Sequence, residues 1–182
     1  MAHRVVITGD TGFLGQLTAR SILRRGSLLA HAASGKEVPS KVTEVVLADI
    51  VRPPTLMFGL DDNPAVSVAI GSVADAAFTS SLIAGAASLS IFHLGAIMSG
   101  HGEQDFDLCI QTNLVGTMNL LEAARACPSW RPRFLFASTM ATIGTGKEGD
   151  HIASTETITD AHRATPHTTC ADAAGSEPRL PA

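Results

Sequence analysis

Apolar residues occur along this chain in short unbroken runs that alternate with segments of helical spacing. Residues 4–8 and 43–48 each contain such a run, and short apolar runs are typical of strands that are covered on both faces of a parallel sheet. Between them, residues 13–25 carry apolar side chains at helical spacing, end in basic residues and are followed by Gly26, a typical C-terminal cap. The pattern predicts a strand, a tight turn, a helix and a second strand that ends at Asp49.

The same alternation continues further along the chain. Further strands are predicted at 66–70, 90–94 and 133–137, helices at 74–86 and 105–126, and a loop at 27–41. Strands that alternate with helices pair in parallel and define an α/β fold with a doubly wound sheet. We therefore expect one Rossmann-like domain at 1–144. Residues 145–182 show no sustained periodicity, so we expect them to form an irregular or disordered tail.

Composition and charge narrow the range of functions. The chain is 45% hydrophobic, which allows a packed core, and its 13 basic residues are scattered among 17 acidic ones, which argues against a nucleic-acid partner. The uncharged stretch 76–98 is long enough to cross a membrane, but its serines, glycines and His93 favour a buried helix followed by a strand, so no membrane partner is expected. Three cysteines without a close pair and the lack of a signal-like N-terminus favour a reducing, cytoplasmic compartment.

The most informative motif is the turn between the first strand and the first helix. It reads Thr8-Gly9-Asp10-Thr11-Gly12-Phe13-Leu14-Gly15. Glycines at this spacing allow a tight turn and let a pyrophosphate approach the backbone amides, while the helix N-terminus supplies partial positive charge. The motif therefore predicts dinucleotide binding, with a plain glycine turn as the alternative.

Asp49 is the candidate for choosing between the two nicotinamide dinucleotides. A carboxylate at the end of the second strand accepts hydrogen bonds from the adenosine ribose hydroxyls and repels a 2′-phosphate, which favours NAD over NADP. Two alternatives stay open at this point. Asp49 is also an ordinary residue for a turn at a strand end, and Arg52 nearby is compatible with NADP.

Several segments resemble the extended short-chain dehydrogenase/reductases, the NAD-dependent epimerase/dehydratase family. The matching segments within 4–144 are Thr8 to Gly15, His93-Leu94-Gly95-Ala96, Asn113-Leu114-Val115-Gly116-Thr117 and Phe136 to Gly144. Residues 99–107, 159–160 and 165–169 are most similar to the D-erythronate dehydrogenase group, which oxidises carbon 2 of a small sugar acid with NAD. The resemblance implies an oxidoreductase whose small-molecule substrate is a sugar acid or a sugar nucleotide.

The resemblance also assigns roles to individual residues. The residues that it implies for binding NAD are Gly9, Thr11, Gly12, Phe13, Leu14, Gly15, Asp49, Ser72, Val73, Leu94, Gly95 and Ala96. Ser72 stands where the family usually has aspartate, which predicts a weakened contact with the adenine. Thr139, with Ser138, would orient the substrate hydroxyl, and Asn113 belongs to the same catalytic group.

This chain departs from the family where the catalytic base is expected. The pattern Tyr-x-x-x-Lys should follow Thr169, but Cys170 and Ala174 occupy its two positions, and the chain contains no tyrosine at all. In the family the tyrosine is the general base on the substrate hydroxyl, with its pKa lowered by the neighbouring cation. A frame shift, an alternative transcript or an erroneous gene prediction would each produce this divergence. The alternative to an active enzyme is a non-catalytic NAD-binding module or a truncated, inactive product.

The missing family elements also bear on the sheet. The resemblance implies a sheet that is incomplete on its C-terminal side, with the strand at 133–137 left as an exposed edge that favours self-association. Asp160, His162, His167 and Cys170 do not have the spacing of a metal site, so no metal is expected. His93 is predicted to be a packed core residue, and Asn119 to lie on a solvated helix face.

Overall fold

The computed structural model describes residues 2–10, 12–31, 35–127 and 131–138. The chain divides into two compact units. The first comprises Met1–Ala96 and Val115–Ala137, and the described residues of the second are 97–114 and Ser138. The predicted tail at 145–182 lies outside the described residues.

Six strands and five α-helices make up the described chain. The strands are β1 (Ala2–Thr8), β2 (Ser27–His31), β3 (Glu37–Asp49), β4 (Val66–Ile70), β5 (Leu89–His93) and β6 (Arg133–Phe136). The helices are α1 (Phe13–Arg25), α2 (Ala76–Ile83), α3 (Ser99–Gln104), α4 (Phe106–Cys109) and α5 (Gly116–Ala126). A short 3-10 turn covers Met57–Gly59, and a π-helical turn covers Ile110–Val115.

Five of the strands form the parallel sheet that the alternating pattern predicts. Their spatial order is β4-β3-β1-β5-β6, and every neighbouring pair among them is parallel. The chain moves outward from β1 to β3 and β4 and then returns to the other side of β1 to form β5 and β6. The Rossmann-like α/β prediction is therefore confirmed, and the order reverses between β1 and β5, which is where such sheets bind ligands.

The prediction of a loop at 27–41 is wrong. Ser27–His31 forms β2, which pairs antiparallel with the first residues of β3, from Ser27 opposite Lys41 to His31 opposite Glu37. In residues 37–42 only Ser40 and Val42 are buried, because the segment is covered on one face alone. A strand of this kind is largely polar and carries a proline, Pro39, so its sequence resembles a loop.

The predicted single helix at 105–126 is wrong in its first half. Asp105 ends α3 and caps α4, since its carboxylate accepts a hydrogen bond from the amide of Leu108 at 2.9 Å. The π-helical turn follows, and α5 begins only at Gly116. Sequence periodicity did not reveal these interruptions, because apolar spacing changes little when a helix is restarted or widened by one residue per turn.

The sheet of the first unit is buried on both faces. One face packs Val5, Ile7, Val45 and Leu47 against Ile22 of α1, and the other packs Val6, Val46, Ala48 and Ile91 against Leu82 and Ile83 of α2. Successive residues of β1 and β3 thus enter opposite cores, which is why these strands appear as unbroken apolar runs.

The uncharged stretch 76–98 contains α2 and β5, as predicted. Helix α2 is shorter than the predicted 74–86 at both ends. It begins at Ala76, because the carboxylate of Asp75 caps it by accepting hydrogen bonds from the amides of Ala77 and Phe78, and it ends at Ile83. None of the helices in the described part of the chain is both long and apolar enough to span a bilayer.

Candidate functional site

The carboxyl ends of the parallel strands lie level along one edge of the sheet. Thr8 of β1 is paired with Ala48 of β3 and with His93 of β5. In the same register Asp49 is opposite Ile70, and His93 is opposite Phe136. The segments that follow the strands therefore leave the sheet together, and they carry most of the residues that the sequence singled out.

The glycine turn depends on the absence of side chains at two positions. Gly9 has φ +76°, and a Cβ atom placed on it would lie 2.5 Å from the Cα of Gly95. A Cβ atom on Gly15 would lie 2.6 Å from the Cα of Asp10 and 2.8 Å from the carbonyl oxygen of Gly9. Gly12 is less constrained, since its nearest contact would be 3.4 Å. The turn thus packs tightly on the sheet and on the start of α1.

The N-terminus of α1 is suited to binding an anion. Gly12 occupies the N-cap position without a side-chain hydrogen bond, and the first turn contains no acidic residue. The basic residues Arg24 and Arg25 lie at the opposite end, where they complement the helix dipole. The side chains of Phe13 and Leu14 are 62% and 65% exposed. A helix N-terminus without a side-chain cap, the close backbone approach and the exposed apolar side chains together fit the phosphates and a ring of a dinucleotide.

His93 joins three elements beneath this turn. Its Nδ1 atom lies 2.6 Å from the hydroxyl of Thr8, and its Nε2 atom lies 3.0 Å from the hydroxyl of Thr117 in α5. The side chain is 2% exposed, and this burial lowers the pKa of His93 to about 4. The ring is therefore neutral at neutral pH, and the prediction of a packed core histidine is confirmed.

Two carboxyl groups lie near the turn. Asp49 is half-buried at the end of β3, and its Oδ1 atom accepts a hydrogen bond from the amide of Ile50 at 2.7 Å. Asp10 is completely buried within the turn itself. The glycine motif by itself gives Asp10 no role, and the sequence signal for one is an ionisable residue inside a glycine turn.

The segment after β4 is held by α5. Asn119 donates hydrogen bonds to the carbonyl oxygens of Val73 and Ala74 at 3.0 and 2.9 Å. A Cβ atom on Gly116 would lie 2.5 Å from Cγ2 of Val73, so the helix and the segment are in close contact. The prediction that Asn119 lies on a solvated face is therefore wrong. Ser72 accepts a hydrogen bond from the amide of Ala74 and belongs to the turn that precedes α2.

The residues after β5 differ in their surroundings. The amide of Leu94 donates to the carbonyl oxygen of Thr8 at 3.1 Å, and its side chain packs partly into the core. Gly95 lies against the backbone of Gly9, and Ala96 is exposed. Gly95 therefore contributes through its lack of a side chain, whereas Ala96 is accessible to a ligand.

Gln16 is a second residue whose role the sequence motif does not indicate. It is buried in the first turn of α1, and its Oε1 atom accepts a hydrogen bond from the amide of Met57 at 2.5 Å. This bond ties the segment that follows Asp49 to the helix that follows the glycine turn. A polar residue directly after Gly15 was the only sequence signal for this contact.

The predicted catalytic residues belong to the second unit or lie outside the described chain. Asn113, in the π-helical turn, donates a hydrogen bond to the carbonyl oxygen of Ile97 at 3.0 Å and accepts one from its amide at 2.8 Å. Ser138 is exposed. Thr11, Thr139, Cys170 and Ala174 lie outside the described residues. Among the described residues, no cluster of histidine, cysteine and acidic side chains is arranged to hold a metal.

The fold and the turn define a class of protein. A glycine turn and an open helix N-terminus at the reversal point of a parallel sheet are the features of a dinucleotide-binding Rossmann-like domain. The chain belongs to the NAD dependent epimerase/dehydratase family, whose model matches residues 5–171.

Two curated relatives within this family are D-erythronate dehydrogenases. The chain is 38% identical over 140 residues to D-erythronate dehydrogenase of Cupriavidus necator, a match that covers 77% of this chain and 40% of that protein. It is 32% identical over 166 residues to D-erythronate dehydrogenase of Haemophilus influenzae, covering 91% of this chain and 45% of that protein. The chain thus spans less than half the length of these curated relatives.

A solved structure gives the same picture of the fold. A mutant of uronate dehydrogenase from Agrobacterium tumefaciens, crystallised in complex with NAD, superposes with a TM-score of 0.56 at 27% identity. The superposition covers 79% of this chain and 43% of the uronate dehydrogenase chain. The structural similarity therefore extends over most of the present chain and over less than half of the uronate dehydrogenase chain.

Proposed function

We propose that this chain binds NAD at the glycine turn and forms the cofactor-binding part of an oxidoreductase. The proposed substrate is a small sugar acid of the D-erythronate type, oxidised at carbon 2, or else a sugar nucleotide. The open N-terminus of α1, bordered by Gly9, Gly12 and Gly15, is the observation that carries the proposal. The identity to two D-erythronate dehydrogenases supports the choice of substrate class.

Each part of the dinucleotide has a proposed set of contacts. The turn from Gly9 to Gly15, with Thr11, would hold the pyrophosphate, and the exposed side chains of Phe13 and Leu14 would cover it. Asp49 accepts hydrogen bonds from the adenosine ribose hydroxyls. The remaining contacts are those of Ser72 and Val73 with the adenine and those of Leu94, Gly95 and Ala96 with the nicotinamide half of the cofactor.

The chemistry that these residues perform is limited by a missing base. Ser138 and Thr139 are proposed to orient the substrate hydroxyl, and the hydrogen-bonded Asn113 to keep the backbone of Ile97 in position. The residues of the glycine turn would hold NAD, which would supply the hydride acceptor for the oxidation at carbon 2 of the sugar acid. The proton of the hydroxyl has no tyrosine to accept it, because this sequence contains none.

That absence supports a second candidate function, a non-catalytic NAD-binding module or an inactive product. Cys170 is the residue at the family's tyrosine position, and a thiol with an ordinary pKa of about 8.5 is mostly protonated at neutral pH. Ala174 at the lysine position carries no cation to stabilise a thiolate. NAD binding without turnover is the behaviour that distinguishes the module from the enzyme.

Calorimetric titration of the full chain with NAD and with NADP tests the proposal. We expect NAD to bind more tightly than NADP, and we expect Asp49→Asn to weaken NAD binding and to reduce the preference. Asp62→Asn is the matched control, because Asp62 is an exposed aspartate of the same segment. Equal affinity for both dinucleotides would remove the role of Asp49, and no binding of either would overturn the proposed function.

The compartment and the assembly are proposed on separate grounds. A cytoplasmic location is proposed from the similarity to the two D-erythronate dehydrogenases. The half-exposed side chains of Leu135 and Phe136 on β6 support self-association through this strand.

A further inference from the structure

Asp10 is the feature of the turn that NAD binding alone leaves unexplained. Its side chain is 0% exposed. Neither of its carboxylate oxygens has a hydrogen-bond partner in the part of the chain that the structure describes. A buried carboxylate without a partner is unfavourable, because desolvation is not compensated, and such groups are retained mainly where they serve a function.

Asp10 belongs to the turn that would hold the two phosphates of the cofactor. It follows Gly9 directly, and the missing Cβ atom of Gly15 would lie 2.6 Å from its Cα. The residue is therefore enclosed between the end of β1 and the first turn of α1, the part of the turn that would receive the pyrophosphate. An ionised carboxylate here opposes the two negative charges of that group.

The charged groups around Asp10 come from few elements. Asp49, at the end of β3, is the side chain whose charge acts on Asp10. The first turn of α1 contains no acidic residue, and its four residues Phe13 to Gln16 include no basic one. His93, at the end of β5, is uncharged at neutral pH, since burial lowers its pKa to about 4.

These surroundings favour the neutral form of Asp10. Burial, and after it the negative charge of Asp49, raise the pKa of Asp10 to about 7, against a smaller, opposing effect of the backbone amide of Asp10 itself. Asp10 therefore changes its protonation state in the range where the protein would work. A carboxyl group that is neutral donates a hydrogen bond, whereas an ionised one accepts hydrogen bonds only.

We propose that Asp10 determines the affinity of this site for the dinucleotide by binding one proton from solvent when the pyrophosphate binds. The inference rests on the proposed NAD binding and deepens it, since it adds a proton to the binding reaction. The carboxylate and a proton become a carboxylic acid, and no other bond is made or broken. The two phosphate charges then lie near a neutral carboxyl group instead of a third negative charge.

The linkage has a defined sign and size. The phosphates favour the protonated form, so the pKa of Asp10 is higher in the complex than in the free chain, and NAD binds more tightly at lower pH. With a pKa of about 7 in the free chain, the dissociation constant rises about tenfold between pH 6 and pH 8. Proton uptake per NAD bound approaches one at pH 8 and falls towards zero at pH 6.

The experiment is calorimetric titration of the full chain with NAD at pH 6, 7 and 8, in pairs of buffers that differ in protonation enthalpy. The variants are Asp10→Asn, which keeps the size of the side chain, and Asp62→Asn as the exposed control. We expect the wild-type chain and the control to lose about tenfold in affinity between pH 6 and 8 and to take up protons. Asp10→Asn should show little pH dependence and no uptake by this residue.

An Asp49→Asn variant tests the same assignment without changing Asp10. Removing the charge of Asp49 lowers the pKa of Asp10, so the pH above which affinity falls should move to a lower value even though NAD binds more weakly. If Asp10→Asn fails to fold, this shift in the pH dependence of NAD affinity tests the role of Asp10 in its place.

Three results would overturn the inference. They are a wild-type affinity that does not change with pH, release of protons on binding, or the same pH dependence in wild type and Asp10→Asn. Absence of NAD binding at every pH would overturn the proposed function and this inference together, whereas pH-independent binding would overturn the inference alone.

Discussion

Gly9 and Gly95 pack backbone to backbone, so closely that a Cβ atom on Gly9 would lie 2.5 Å from both the Cα and the amide nitrogen of Gly95. The contact joins the ends of β1 and β5, the two strands between which the sheet order reverses. It brings together two residues that are 86 positions apart and that the sequence alone assigned to separate motifs.

The first prediction follows from this contact. Gly9→Ala should lower the free energy of unfolding by more than Gly26→Ala, because both glycines have positive φ but only Gly9 has neighbours within 4 Å of the new Cβ atom. The positive φ costs about 1–2 kcal/mol at either site, and the clash adds about 1–3 kcal/mol at Gly9. Urea denaturation measures both values, and equal losses would contradict the packing argument.

The second prediction separates folding from binding within the turn. Gly15→Ala should destabilise the fold, since its Cβ atom would lie 2.6 Å from the backbone of Asp10, whereas a Cβ atom on Gly12 would make an ordinary contact at 3.4 Å. Gly12→Val should therefore fold and yet lose NAD, because its side chain occupies the space of the pyrophosphate. Thermal unfolding and titration test the pair, and tight NAD binding by Gly12→Val would place the pyrophosphate elsewhere.

The third prediction concerns the acid sensitivity of the fold. Burial lowers the pKa of His93 to about 4 in the folded chain from 6.5, so the unfolded chain binds more protons between these values. The stabilisation is complete above about pH 6.5 and is lost as the pH falls towards 4, by about 2 kcal/mol between pH 7 and 5.

Comparison of the wild type with His93→Gln isolates this effect. Burial also lowers the pKa of His3, whereas the raised pKa of Asp10 stabilises the folded chain as the pH falls, and both contributions are common to the two chains. Urea denaturation at pH 7 and at pH 5 gives the change in unfolding free energy for each chain, and the difference between the two changes is the contribution of His93. If both chains change by the same free energy, His93 does not make the fold sensitive to acid.

The fourth prediction concerns turnover. Without a tyrosine to act as base, this chain should oxidise D-erythronate with NAD at least about a hundredfold more slowly than the D-erythronate dehydrogenase of Cupriavidus necator, since a positioned acid or base contributes about 10²–10⁴-fold. NADH absorbance measured side by side checks this. Comparable rates would show that another group of this chain removes the proton.

The fifth prediction concerns self-association. In the described chain β6 pairs only with β5, and the side chain of Leu135 is 48% exposed. Leu135→Lys should reduce the apparent mass in light scattering, because charge on an edge strand opposes pairing with another chain. Leu121→Lys, at a residue of α5 that is 47% exposed, is the control. A monodisperse wild-type monomer, or an effect confined to Leu121→Lys, would contradict the prediction.

The parallel strands were predictable because they are covered on both faces and therefore appear as apolar runs. Helix α1 was predictable because one side of it is buried, which gives its apolar residues a regular helical spacing. The bounds of α1 were predicted without error, since Gly26 and the basic residues before it mark its end. The pairing of β2 was not predictable, because only one face of the adjoining part of β3 is buried and Pro39 interrupts it. Such a strand is defined by its partner and not by its own composition.

The candidate site likewise contains features that were predictable from the sequence and features that were not. The glycine spacing and Asp49 were visible as local patterns, whereas the contacts of His93 with Thr8 and Thr117 join positions that are 85 and 24 residues apart. The hydrogen bonds of Asn119 with the segment after β4 also join distant positions, and the sequence of the helix does not indicate them. Hydrogen bonds of this kind depend on topology, so they emerge only when the strands are placed side by side.

The central position of β1 has a consequence for how the protein exchanges amide hydrogens with solvent. Val5, Val6 and Ile7 are 0% exposed, and β1 is paired along both edges, so their amides exchange only when the whole unit opens. A ligand bound at the turn that follows β1 should raise the free energy of this opening by its full binding contribution, about 2.7 kcal/mol at a ligand concentration of a hundred times Kd, and should slow the exchange accordingly. We expect strand β6, which in the described chain pairs with β5 alone, to exchange through local opening, so its protection should hardly respond to the ligand.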